Sequence, residues 1–174
     1  MLTPFPAQSL RLSYEPATPD DFPELLDVYN SNPDYMEWAY GKRVVTLETV
    51  KQDHDDNLAL DDSYSVSIRD ADTRSLIGIS QFILRNPRDG HPWLGLIMLH
   101  ANSQGKGYAT EFLDTLISWY AENGYSSLHL AVLEKNRKVM PFYEKYGFRF
   151  YEERMTEAYG RVFCMQYPIA GTLM

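Results

Sequence analysis

The chain has 174 residues, 44% of them hydrophobic and 23% charged, with a formal net charge of −8. That length suits one domain over residues 1–174 that buries its core without disulfides or metals. Lacking clustered Lys and Arg, the chain offers no surface for nucleic acid, and no apolar run approaches the ~20 residues of a membrane span.

The opening "MLTPFPAQSLRLSYEP" has neither the basic leader nor the apolar centre of a signal peptide. The lone Cys164, inside the strand-like run "RVFCMQY", reads as a small buried residue and suits a reducing cytoplasm. "LRLSYEPA" alternates like a strand. "TPDDFPELLDVYNS" has a cap-like Thr18, Pro19 and first-turn acids, and spaces Phe22, Leu25, Leu26 and Tyr29 along one helix face. "NPDYMEWAYG" reads as a loop or short helix, and "LETVKQDHDDNLA" as a second helix.

Residues 1–62 hold 13 of the 24 acids but only Arg11, Lys42, Arg43 and Lys51 as bases. Such an imbalance favours a cationic ligand, although "DHDDNLALDD" by itself reads as a solvated helix face. His54 within that run has no distant ligands to complete a metal set, so no metal is expected.

Beyond residue 62 the period changes to strands, in "YSVSIRD", "SLIGISQFILR" and "PWLGLIMLH". A strong helix follows, with Ala109, Phe112, Leu113, Leu116, Ile117, Tyr120 and Ala121 at helical spacing and Asn123-Gly124 as its stop. "SLHLAVLE" is a strand and "KVMPFYEKYG" a short helix beginning at about Lys138, because Pro141 belongs in a first turn. "FRFYEER" and "RVFCMQYPI" close the chain as a hairpin. The order is mixed α/β (α+β), with a crossover helix that makes two late strands parallel.

The stretch "HANSQGKGYATEF", residues 100–112, joins a strand to the strong helix through two glycines. A glycine-rich turn feeding a helix N-terminus binds phosphate through free backbone N–H groups and the helix dipole. No Walker pattern is present, and the G-x-G-x-x-G that begins at Gly105 ends on Thr110 instead of glycine. A flexible turn that merely lets the helix pack is the alternative.

A second motif stands some thirty residues on, in "NRKVMPFYEKYGF". Together the two resemble the GNAT superfamily of acyl-CoA N-acyltransferases. Its pyrophosphate pattern [Q/R]-x-x-G-x-[G/A] is matched by Gln104, Gly107 and Ala109. Its later signature is matched by Asn136, Phe142, Tyr143, Lys145, Gly147 and Phe148, with Val139 in a small-residue place.

The resemblance implies a mixed, mostly antiparallel sheet of six to seven strands with helices on both faces and a splayed central parallel pair. It implies acetyl-CoA as cosubstrate, with the main chain of Ile97, Met98 and Leu99 along its arm. Gln104, Gly105, Lys106, Gly107, Tyr108, Ala109 and Thr110 would lie at the pyrophosphate, with Asn136, Phe142 and Tyr143 opposite. The Leu99 N–H is the implied oxyanion donor and Tyr143 the implied general acid.

The family often carries a Glu or His on the strand before the loop, but "WLGLIML" has neither. Glu134 is the first alternative base, followed by His91, an acid of "DYMEW", or solvent. The acceptor, a small-molecule or peptide amine, is expected near Asp34, Tyr35, Glu37, Trp38 and Trp93. A non-catalytic acyl-CoA-binding module remains the rival reading, and a homodimer is left open.

Overall fold

The computed structural model describes residues 1–169. Seven strands form one sheet in the order β1-β2-β3-β4-β5-β7-β6. They are β1 (Leu12–Pro16), β2 (Ser63–Asp70), β3 (Leu76–Ile83), β4 (Trp93–Leu99), β5 (Ser127–Leu133), β6 (Arg149–Thr156) and β7 (Gly160–Pro168). All neighbours are antiparallel except β4 and β5. The helix between those two is the crossover that a parallel pair requires.

The helices are α1 (Phe22–Asn30), α2 (Pro33–Tyr40), α3 (Leu47–Leu58), α4 (Tyr108–Glu122) and α5 (Met140–Tyr146). They cover both faces of the sheet, and a bulge in β3, where Gly78 stands opposite Ile68 and Leu76 opposite Arg69 with Ile77 left over, shifts which of its side chains share a face. Ile77 and Phe82 of β3 join Phe112, Leu113, Leu116, Trp119 and Tyr120 of α4 in one core. Leu76 and Ile79 of the same strand turn to the other face, against Leu25, Val28 and Tyr29 of α1 and Met36 of α2.

The segment read as loop or short helix is the full helix α2, started by Asn32-Pro33 and stopped at Gly41 in the left-handed region. The turn after β5 is a 3-10 segment, Glu134–Val139, and α5 begins at Met140, two residues later than expected, with Pro141 in its first turn.

The reading of "DHDDNLALDD" as a solvated face needs correction. His54 and Asn57 are buried, the former edge-on to Phe22 at 5.1 Å between ring centroids, and Asp53 turns towards Tyr29 and Tyr40. Cys164 is fully buried in β7.

Candidate active site

β4 and β5 pair at only two positions, Trp93 with His129 and Leu94 with Leu130. The divergence has a local cause on the other edge of β4. Gln81 of β3 stands opposite Leu96 and Phe82 opposite Leu94, which leaves Gly95 as an extra residue. A bulge of this kind bends its strand and raises the twist. Past it a gap opens, lined by Ile97 of β4, Leu130 and Val132 of β5, and Asn136, Val139 and Tyr143.

The His100 N–H donates to Ile77 O at 2.8 Å. Because successive N–H groups of a strand point to opposite edges, the Leu99 N–H is directed away from β3, towards the gap. The Leu99 carbonyl accepts from the side chains of Asn32, at 3.0 Å, and Gln104, at 3.1 Å.

After β4 a single 3-10 turn, Ala101–Ser103, is capped by His100, whose Nδ1 accepts the Asn102 N–H at 3.1 Å. Gly105 and Gly107 then take φ of +74° and +84°. Gly107 is the N-cap of α4 and offers no capping side chain. The Glu111 N–H is the first to find an intrahelical partner, Gly107 O at 3.1 Å. Those of Tyr108, Ala109 and Thr110 are therefore the open donors of the first turn, at the end carrying about half a positive charge.

Arg11, just ahead of β1, braces this end. Its guanidinium donates to Lys106 O at 2.9 Å, pairs with Glu111 at 2.8 Å, and stacks over the Tyr108 ring at 4.4 Å.

A cleft of about 600 Å³ runs along this loop. One wall is Ile97, Met98 and Leu99; the floor is Gln104, Gly105 and Gly107 with the first residues of α4, Tyr108, Ala109 and Thr110. Asn136, Phe142 and Tyr143 stand opposite, while Asp34, Tyr35 and Trp38 close it from α2.

Lys106 and Glu37 do not line the cleft. Glu37 shares Arg43 with Asp34, at 3.2 and 2.8 Å. Glu134 also lies outside, paired with Arg161 at 3.3 Å. Trp93 lines the gap and a further chamber beside it. Its indole N–H is taken by Asp89 at 3.0 Å.

Burial pushes the Tyr143 phenol up to about 12. Its ring sits edge-on to Phe148 at 5.6 Å, and also edge-on to Phe142. Burial likewise raises Tyr35, with smaller contributions from Tyr159 and Tyr143.

Ser31 and Asn32 were not anticipated from the sequence. Ser31 Oγ accepts the Ala101 N–H at 3.0 Å, and the Asn32 Oδ1 accepts from Gln104 at 2.7 Å. The dipeptide before Pro33 signals a helix start; that it also holds the loop seventy residues on has no local signal. Arg11, and Tyr159, which lines the gap, were missed for the same reason.

The acetyltransferase (GNAT) domain family matches residues 11–149, and this chain belongs to it. It is an acetyltransferase, and acetyl-CoA is the cosubstrate typical of that family.

Three solved structures illustrate the likeness. An acetyltransferase from Thermus thermophilus is 23% identical with a TM-score of 0.76, over 91% of this chain and 97% of its own. A spermidine N-acetyltransferase from Vibrio cholerae, in complex with CoA and spermine, is 18% identical with a TM-score of 0.68, over 91% and 96%. A ribosomal L7/L12 alpha-N-protein acetyltransferase in complex with coenzyme A is 16% identical with a TM-score of 0.74, over 95% and 97%. At these identities the likeness shows the fold. No curated protein sequence matches the chain.

The residues present fit an acyl-CoA. The open N–H groups at α4 suit a pyrophosphate, and the strand edge exposed beyond Leu94 suits an amide-bearing arm.

Proposed function

We propose that this protein transfers an acetyl group from acetyl-CoA to a primary amine by direct attack. The observation that carries the reading is the placement of Tyr143, which lines both the cleft along the glycine loop and the gap between β4 and β5. The spermidine and ribosomal-protein enzymes of the same fold are named for amine acceptors, which supports the same class here.

In the step, the amine nitrogen bonds to the acetyl carbon, the C–S bond breaks and one proton leaves nitrogen. The Leu99 N–H meets the oxygen on which charge develops; a fixed donor there lowers a barrier by ~3 kcal/mol. Tyr143 gives its proton to the departing sulfur and recovers one from water. With a pKa pushed up to about 12, the phenol stays protonated under all working conditions. Full transfer to a thiolate of pKa ~8.5 is then uphill, so hydrogen bonding in the transition state carries much of the effect.

No carboxylate or imidazole lines the gap among the described residues; Asp34 at the cleft is paired with Arg43, Glu134 is held by Arg161, and His91 is stacked on His129. The ammonium proton is therefore assigned to solvent. At pH 7 only about one amine in a few thousand is neutral, an obstacle of ~4–5 kcal/mol.

The test is thiol release from acetyl-CoA with a panel of amines, wild type against Tyr143→Phe. We expect kcat to fall ~100-fold with little change in acetyl-CoA affinity. Equal rates for the two proteins would remove Tyr143 from the mechanism. Tight acetyl-CoA binding without turnover of any amine would make the chain an acyl-CoA-binding module instead.

A further inference from the structure

We propose that the acceptor is a small diamine whose second ammonium is received in a chamber beside the gap, against the Asp53 carboxylate. The chamber, about 250 Å³, lies between α2, α3 and the start of β4. Tyr35, Trp93, Gly95, Leu96 and Tyr159 line it and the gap alike, and Tyr35 also lines the coenzyme cleft. One molecule can thus place one end beside Tyr143 and the other beside Asp53. The proposal rests on the acetyl-transfer reading and names its substrate class.

The charge in the chamber is one-sided. Asp53 Oδ2 accepts the hydroxyls of Tyr29, at 2.9 Å, and of Tyr40. Both donors are neutral, and Oδ1 has no donor among the described residues. Asp56, at the same chamber, accepts only from the Gln52 amide, at 2.7 Å. No Lys, Arg or His pairs with either acid among the described residues. Burial raises the Asp53 pKa despite the two phenols, as expected of a carboxylate left without a counter-ion.

The walls select the kind of cation. Tyr35, Tyr40, Trp93 and Tyr159 line the chamber beside the acids, and aromatic walls of this kind attract alkylammonium groups and cover the attached methylenes. Among the described residues no group of three His, Cys, Asp or Glu could hold a metal ion, and the aromatic walls suit an alkylammonium.

The experiment compares 1,4-diaminobutane with butylamine, which lacks only the second cation. It reads kcat/KM in the acetyl transfer and, separately, calorimetric binding to the CoA-loaded protein. A hydrogen-bonded charge pair is worth roughly 10- to 100-fold. We therefore expect wild type to favour the diamine by that factor in both readouts, and the ratio to collapse about tenfold in Asp53→Asn.

Equal use of both amines, untouched by Asp53→Asn, overturns the diamine proposal while acetyl transfer stands. Preferential binding of the diamine, lost in Asp53→Asn but without turnover of any amine, upholds the chamber and removes the enzyme reading. Equal binding without turnover overturns both. Should Asp53→Asn fail to fold by thermal melting, Asp56→Asn and Tyr159→Ala report the same ratio.

Discussion

At the scale of single residues, Asp53 is where stability and the proposed recognition pull apart. Burial, the largest influence, holds its folded-state pKa above the ordinary value, while the Tyr40 and Tyr29 hydroxyls pull it down. A carboxylate with a raised pKa keeps a proton in the folded state that the unfolded chain has already released. Its contribution is therefore most favourable below the unfolded pKa and is lost as pH rises through the folded one. Asp53→Asn keeps an acceptor oxygen for the two phenols and removes the charge. We expect its melting temperature to exceed wild type at pH 7, with the difference shrinking as pH falls below ~4. A lower melting temperature at pH 7 would contradict this. Its neighbours in the chain carry no hint of the role: among Asp55, Asp56, Asp61 and Asp62, nothing local marks Asp53 as the one facing two tyrosines from other helices.

At the scale of elements, the junction from β4 to α4 is the most legible part of the chain. Two glycines before a run of period 3.6 announce a helix N-terminus with close backbone approach, and Gly105 and Gly107 do adopt positive φ. A Cβ on Gly107 would meet only the flexible end of Arg11, at 3.3 Å. The cost of Gly107→Val is thus mainly backbone, ~1–2 kcal/mol, and it falls on the open donors of α4. Calorimetry should show acetyl-CoA affinity down tenfold or more, while the melting temperature drops by only ~2–8 °C. Unchanged affinity would mean that the loop does not hold the cosubstrate.

Strands β2, β3 and β4 were legible as strand-like runs set apart by turn residues. The splay was not, because Leu96 to Leu99 look like any buried strand and the bulge at Gly95 exists only against β3. It entered as an implication of the family resemblance. The helix start at Met140 slipped because Lys138 and Val139 belong to the 3-10 segment Glu134–Val139 that leads into α5.

At the scale of the whole molecule, the missing base becomes a statement about pH. With no titrating acid or imidazole in the gap among the described residues and Tyr143 held up to about 12, the amine is left as the group whose ionisation sets the rate. The kcat/KM should climb about tenfold per pH unit up to the amine's own pKa, ~10. A plateau beginning between pH 6 and 8 would reveal a base on the enzyme. The acidic N-terminal third hinted at a cationic ligand, and the structure gathers Asp53 and Asp56 of that third beside the gap.

Asn32 has a wider consequence. Its amide ties the carbonyl of Leu99 to the end of α1, and its oxygen holds Gln104. In the proposed reaction, the wall facing the acceptor and the cradle facing the cosubstrate are therefore riveted at one side chain. Slack in one is felt in the other, so the two specificities of this enzyme cannot drift independently: a change that reshapes α2 for a new acceptor must also be one that the loop at Gln104 tolerates.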